Sequence, residues 1–566
     1  MNAQRKDLGR GLAALACLGA IYLTLAGLTL RAKSVTVDEF GHLPAGLNLW
    51  NSGDFAYGEL NPPLMNALSA LPLKLAGIRT VYPRDFPQDS RHGFWANGYL
   101  FMGQHRADYQ GLFVRARWVT VALVGLLGVV AFAWGRLLVP ARPNTAGLLA
   151  AALIWFSPEI MSHACLVTTD AGMATFMVAA AFALYLYLRE PTWGRAIVCG
   201  AALGAAQLIK FTAIYLYPTH LAILVLAAWV RPDLRTRRYL LQALAVFAVS
   251  VLVINAGYGF QGCFTRAGSL AYQSVACQAL GGQLGSFIPM PLPQDYVLAF
   301  DRQLADTQRG DPSFLFGHSY AGGRWYYFLA LLAVKTPVPA LILLGFAVFA
   351  AVVRKGLRWT DSIVLLLPAL VIFVMFSFFS NKQLGLRMIL PAIALVVVWT
   401  GAALASVAWS RVPRVLVGVA VAWLGFEFVR IHPDYLAYFN QFAGRADRGY
   451  HYAVDSNLDW GQDLPALNDY LEREHIEEIQ LLYFGRVDPE IYGIRYRVPL
   501  GGLRAGYVAI SRTLLGRGYF LYDHGRTEWA GPFTVDPRGL VKVGTVGHTI
   551  DIYRVLPAAL GNSKTL

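Results

Sequence analysis

The run Val37-Asp38-Glu39-Phe40-Gly41-His42 sets two adjacent carboxylates just past a membrane-length apolar segment. Acids at the mouth of a span are costly unless they face water or a site. One of the pair Asp38-Glu39 can act as a general base, while its neighbour holds a metal ion or a sugar hydroxyl. The bland alternative is a solvated helix start, where acids suit the helix N-terminus. Asp170 follows Thr168-Thr169 and precedes a long apolar run, so it reads as an N-cap, as a carboxylate held against a site, or as both. Lys210 separates two apolar segments and either snorkels to headgroups or offers a compact charge to a lipid phosphate. Arg387 opens a span within Asn381-Lys382-Gln383-Leu384-Gly385-Leu386-Arg387, and its guanidinium is a bidentate fork for phosphate. Lys382 and Arg324 are further cations for that task. His318, in Phe316-Gly317-His318-Ser319-Tyr320, and Asn61, before Pro62-Pro63, are candidate substrate contacts. A divalent ion would find Glu39 and His318 as candidate ligands. No metal-type spacing exists, so the sequence allows a metal without requiring one.

These residues need a frame, and composition supplies it. The chain has 566 residues, of which 56% are hydrophobic and 14% charged. Soluble chains carry about 25% charged residues, so this is a polytopic α-helical membrane protein. The net charge of +14 does not point to nucleic acid. Its arginines cluster in short loops between apolar runs, the positive-inside pattern.

Eleven segments have the length and apolarity of spans: 11–30, 115–138, 144–161, 168–188, 195–209, 211–230, 240–257, 326–352, 362–380, 388–409 and 413–430. The segment at 195–209 is short enough to be tilted or paired with its neighbour. The first segment is too long for a signal peptide. With the N-terminus inside, the loops Arg136–Arg142, Arg189–Arg195, Arg231–Arg238, Arg354–Arg358 and Arg411–Arg414 are all cytoplasmic. The outer face then receives the loop 31–110, Asp170, Lys210, the loop 258–325, Arg387 and the tail. The long loops are expected to hold amphipathic helices on the membrane surface.

The chain therefore divides into a membrane module, 1–430, and an extracytoplasmic α/β domain, 431–566. In the tail, Ile479–Phe484, Gly506–Ser511, Leu540–Val546 and His548–Val555 read as strands. The last two form a hairpin around Gly547. Leu464–Glu474 reads as a helix with Asp463 as N-cap and Pro465 in its first turn. Cys263 and Cys277 share one outer loop, where a disulfide is chemically permitted.

Taken together, these motifs resemble bacterial glycosyltransferase family 39, the group of dolichyl-phosphate-mannose protein mannosyltransferases and lipid A aminoarabinose transferases. The resemblance rests on Val37-Asp38-Glu39, Asn61-Pro62-Pro63-Leu64, Thr168-Thr169-Asp170, and Gly323-Arg324-Trp325-Tyr326-Tyr327-Phe328 leading to Lys335-Thr336-Pro337. It also rests on Leu384-Gly385-Leu386-Arg387 with Leu390-Pro391, on His432-Pro433-Asp434-Tyr435-Leu436-Ala437-Tyr438-Phe439-Asn440, and on Asp455-Ser456-Asn457-Leu458-Asp459-Trp460-Gly461-Gln462-Asp463-Leu464. It implies a GT-C membrane fold in the bacterial plasma membrane and a polyprenyl-phosphate sugar donor. It further implies inverting transfer at the extracytoplasmic face to a lipid, glycan or protein acceptor. Asp38 inherits the role of base and Asp170 that of the second loop acid. Aminoarabinose transferases carry Glu-Lys before the paired prolines, where this chain has Leu60-Asn61, so Lys210 or Arg387 must meet the donor phosphate. The β-trefoil insert of eukaryotic protein mannosyltransferases has no match here. The alternatives from other classes are a lipid-linked sugar transporter or flippase and a non-catalytic scaffold. Transporters place polar groups near the midplane, whereas here the acids and cations gather at one face.

Overall fold

The computed structural model describes residues 2–55, 60–83, 90–284, 288–500, 502–523, 526–530, 533 and 539–557. Among these, eight helices are long and apolar enough to cross a membrane: Lys6–Ala32, Arg106–Leu138, Thr169–Arg189, Phe211–Val230, Arg237–Gly257, Trp359–Phe378, Leu386–Ser406 and Arg411–Arg430. Two more expected spans are broken. Pro143–Trp155 meets Pro158–Ala164 at 63°, and Tyr327–Lys335 meets Val338–Val352 at 110°. Both breaks fall at prolines, which carry no N–H and clash with the preceding turn. At the first, Ser157 caps the new helix by accepting from the Ile160 N–H. The remaining expected span is the helix Trp193–Gln207, only 15 residues long. It packs along Arg237–Gly257 through two glycines. A Cβ at Gly200 would stand 2.5 Å from the Val246 carbonyl oxygen, and one at Gly204 would stand 2.7 Å from that of Ser250. Small residues four apart let two backbones approach where lipid supplies no hydrophobic drive.

The segment after the first span folds into the helices Glu39–Ser52, Leu64–Leu75 and Ser90–Gln104. The first two cross closely because Gly46 lies against the Asn66 backbone, where a Cβ would be only 2.0 Å from the carbonyl oxygen. The second long loop holds the helices Val275–Leu284 and Gln294–Arg309 and a short hairpin, Ser313–Leu315 with His318–Tyr320. Cys263 and Cys277 are free cysteines, and the Cys263 thiol donates to Asn255 Oδ1 at 2.6 Å. The permitted disulfide is therefore not formed.

The tail carries a five-stranded mixed sheet in the order Tyr496–Arg497, Ile479–Leu482, Gly506–Ser511, Ile550–Val555, Leu540–Val546. Pairing is parallel around Ile479–Leu482 and antiparallel beyond Gly506–Ser511, which includes the expected hairpin. Side chains alternate between faces, and both faces are apolar. Ile479, Leu481 and Ile552 pack under the helix Leu464–Arg473 through Leu464, Leu467 and Leu471. Leu482, Val508 and Ile510 face Trp460, Val37 and Leu166. Val37 and Leu166 precede Asp38 and Asp170 closely in sequence, so the sheet is seated directly on the acid-bearing helix ends. Asp463 occupies the N-cap position but makes no capping bond. Its carboxylate is engaged by Lys33 at 2.6 Å and by the Thr549 hydroxyl at 2.6 Å.

The glycine contact makes a stability prediction. Gly204→Val should lower the melting temperature of the detergent-solubilised protein, because a backbone carbonyl cannot yield; overpacking of this kind costs about 1–3 kcal/mol. Gly194→Ala, in open space on the same helix, should be tolerated. Equal melting temperatures for Gly204→Val and wild type would contradict the close packing.

Candidate active site

Four charged residues far apart in sequence meet at one end of the helix bundle. Asp38 stands just before the helix Glu39–Ser52, and Asp170 lies in the first turn of Thr169–Arg189. The N-cap position there belongs to Thr168 rather than to Asp170. Lys210 is extended backbone between Trp193–Gln207 and the turn Phe211–Tyr215. Arg387 lies in the tight turn Leu386–Ile389 that opens a span. Lys210 Nζ is 2.6 Å from Asp170 Oδ1. Arg387 Nη1 is 2.7 Å from Asp38 Oδ2 and 3.6 Å from Asp170 Oδ2.

Exposure separates their roles. The Asp170 side chain is 2% exposed, against 27% for Asp38 and 25% for Lys210. Asp170 is shut in between two cations and holds both in place. Asp38 and Lys210 remain open to a ligand. Arg387 also lies over the Trp460 indole, with Cζ 4.4 Å from the ring centroid, a stacked cation–π contact.

Several supports fix this geometry. Leu64 N–H donates to the Leu208 carbonyl at 2.9 Å, which joins the Asn61-Pro62-Pro63-Leu64 segment to the Lys210 turn. Gly385, at φ +122°, packs against Ser456 and Asn457, where a Cβ would clash. Leu386 N–H donates to Asn457 Oδ1 at 3.2 Å. Val37 N–H donates to the Trp460 carbonyl at 3.1 Å, and Ser34 N–H to that of Gln462 at 2.9 Å. Lys335, fully buried, donates to the carbonyls of Leu436 at 3.0 Å and Asn457 at 2.5 Å, and lies 3.3 Å from Glu159. Lys33 pairs with Asp434 and Asp463. Burial works against its charge, but the two carboxylates outweigh it and hold its pKa up at about 12. The segment from Asp434 to Asp463 is thus wedged between the ends of the membrane helices and lines the site.

The other residues singled out from sequence lie elsewhere. Glu39 is fully buried and bidentate with Arg117, at 2.7 Å for each contact, and it also accepts from the N–H groups of Thr36 and Val167. Its oxygens are committed, which corrects its reading as a metal or sugar ligand. Lys382 pairs with Asp306 at 2.6 Å and Asp311 at 3.0 Å, tying the second long loop to the turn before Arg387. Arg324 is exposed and lies over the Tyr320 ring at 5.1 Å. His318 is exposed on the short hairpin. Neither Arg324, Lys382 nor His318 contacts the four-charge cluster in any described interaction. Asn61 lines a separate cleft of about 110 Å³ with Asn66, Asp54 and Asp295. Among the described residues, no group of three or more His, Cys, Asp or Glu is placed to hold a metal ion. At Asp38 and Asp170 the counter-charge comes from Arg387 and Lys210.

Three contributors were not singled out from sequence. His42, one helical turn beyond Asp38, is buried with Nδ1 3.0 Å from Asn66 Oδ1, and burial pushes its pKa below 6.5. The signal was its four-residue spacing from Asp38. Arg117 was visible only as an arginine inside an apolar run. Asp455 is paired with Arg517 at 2.6 Å.

Asp459 gives a pH prediction. Burial, only partly offset by the N–H groups of Gly461 and Thr513, pushes its carboxyl from 3.8 up to about 7. An acid whose folded pKa is raised binds protons more tightly when folded, so it favours folding at low pH. Between about 4 and about 7 that contribution is lost as pH rises. Asp459→Asn should therefore gain thermal stability relative to wild type as pH climbs through that window. A melting-temperature difference that stays constant with pH would contradict it.

Residues 112–254 match the family model described as Dolichyl-phosphate-mannose-protein mannosyltransferase, a stretch that contains Arg117, Asp170 and Lys210. No curated protein matches the chain. Among solved structures, the chain is similar to ArnT from Cupriavidus metallidurans in the apo state, at 15% identity over 97% of this chain and 98% of that one, with a TM-score of 0.46. It is similar to the same protein bound to undecaprenyl phosphate, at 15% identity over 97% and 99%, with a TM-score of 0.44. It is also similar to the archaeal oligosaccharyltransferase AglB from Archaeoglobus fulgidus in complex with an inhibitory peptide and a dolichol-phosphate, at 12% identity over 92% and 74%, with a TM-score of 0.45. The family model supports, within residues 112–254, the resemblance to glycosyltransferase family 39 read from the motifs.

Proposed function

We propose that this chain is an inverting glycosyltransferase that moves a sugar from a polyprenyl-phosphate donor to a hydroxyl of a lipid, glycan or protein acceptor. The observation that carries the proposal is the cluster of Asp38, Asp170, Lys210 and Arg387 at the end of an apolar helix bundle. A lipid phosphate must sit at that depth, because its polyprenyl chain stays among the apolar helices. The arginine-rich loops lie at the opposite ends of the same helices, which supports an extracytoplasmic site in a plasma membrane.

In this reading, Lys210 and Arg387 bind the donor phosphate and offset the charge that grows as it departs. Asp38 takes the proton of the acceptor hydroxyl. The new bond forms between the acceptor oxygen and the anomeric carbon while the bond from that carbon to the phosphate oxygen breaks. The electron pair leaves with the polyprenyl phosphate, and attack from the opposite side inverts the configuration. Asp170 is a positioning residue that aligns both cations. Arg387 links the two halves of the reaction. A phosphate reaching its guanidinium competes with Asp38, which frees that carboxylate to accept a proton once the donor is bound.

Asp38→Asn should abolish most transfer while leaving donor affinity largely intact, since loss of a general base typically costs about 10²–10⁴-fold. Arg387→Ala should weaken donor binding and slow transfer, with Arg387→Lys rescuing only part, because the planar fork is lost. Donor titration and turnover of the purified variants check both. Wild-type turnover in Asp38→Asn would remove the base assignment. Unchanged donor affinity in both Arg387→Ala and Lys210→Ala would remove the phosphate assignment.

A further inference from the structure

A cavity with an arginine-bearing rim and a largely apolar lining lies at the other end of the bundle. The helix Thr169–Arg189 begins at the acid cluster and ends at this cavity, a length of about 30 Å at the helical rise. The cavity encloses about 310 Å³ between the ends of Thr169–Arg189, Phe211–Val230 and Trp359–Phe378. Its rim carries Arg189, Arg231 and Arg358, together with Tyr185, Trp359 and Asp361. Leu226 and Val230 continue it along the bundle as an apolar wall.

Arginines at such loops commonly serve only to orient the chain. Here three of them, from three separate helix ends, converge on one concavity lined by a single carboxylate. Two are partly engaged. Arg231 donates to the Leu188 carbonyl at 2.7 Å and pairs with Asp233 at 2.9 Å. Arg189 lies over the Tyr185 ring, with Cζ 5.8 Å from its centroid. Arg358 makes no side-chain hydrogen bond or ion pair among the described residues, although its charge attracts Asp361. Trp359 beside it is 56% exposed, an amphipathic ring at the level where headgroups meet acyl chains.

We infer that this cavity binds the headgroup of an anionic phospholipid from the leaflet at that end of the protein. Its phosphodiester accepts from Arg358 and Arg231, and its acyl chains run along Leu226 and Val230. Basic pockets between membrane helices recognise lipid headgroups in this way. The apolar wall is what distinguishes a lipid from a free phosphate, since a soluble anion would gain nothing from it.

The test is native mass spectrometry of the full chain released from detergent with added phosphatidylglycerol or phosphatidylcholine. Wild type should retain phosphatidylglycerol in preference to phosphatidylcholine. Arg358→Ala should weaken that retention about fivefold, the effect of one arginine near a headgroup, and Arg358→Lys should restore much of it. Trp359→Ala, which leaves every charge in place, should weaken retention of the same lipid without removing its preference. Inorganic phosphate should not displace the lipid. Equal retention of the two lipids by wild type, undiminished retention by Arg358→Ala at wild-type thermal stability, or displacement by inorganic phosphate would each overturn the assignment.

Discussion

A carboxylate sealed from water at the end of an apolar helix is the constraint on which this structure turns. Removing a charge from water costs several kcal/mol even after relaxation, and breaking a buried pair by deleting one partner costs about 3–5 kcal/mol. Asp170 meets that demand only while Lys210 and Arg387 stay beside it. Their helices are separated by long stretches of chain, so one electrostatic requirement fixes the relative heights of three helix ends. The same requirement leaves Arg387 beside Asp38 and Lys210 partly open to a ligand.

A second buried pair does the equivalent work one layer away. Glu39 and Arg117, both with fully buried side chains, join the helix that follows Asp38 to the long span Arg106–Leu138. Adjacent acids in the sequence thus divide the labour. Asp38 faces the site, and Glu39 holds the helix that presents it. The tail adds a third tie, since Trp460 stacks on Arg387 and its backbone carbonyl accepts from the Val37 N–H. The sheet behind Trp460 is apolar on both faces because one covers its own helix and the other covers the helix ends.

Much of this was legible in the chain. Apolar length and arginine-bearing loops revealed the membrane helices, because hydropathy is a property of local composition. The two breaks were harder to see, since an averaging window runs straight through Ser157-Pro158 and Thr336-Pro337. Strands Gly506–Ser511 and Leu540–Val546 could be read from their β-branched residues and flanking glycines. Of the residues marked for chemistry, Asp38, Asp170, Lys210 and Arg387 converge, and each stands at the end of an apolar run. Glu39 and Lys382 could not be sorted from them. Their partners, Arg117 and Asp306, lie 78 and 76 residues away, and nothing local distinguishes a paired charge from an available one. His318 looked like the other candidates in sequence, yet its short hairpin holds it in the open.

The most direct measurement is a structure of the protein in a lipid nanodisc with a polyprenyl phosphate bound, determined by electron cryomicroscopy. The phosphate oxygens should lie within hydrogen-bonding distance, about 3.2 Å or less, of both Arg387 and Lys210. The contact between Arg387 and Asp38 should be opened and Asp170 should still hold both cations. A phosphate bound elsewhere, with the Arg387–Asp38 pair intact, would contradict the assignment of this cluster as the donor site.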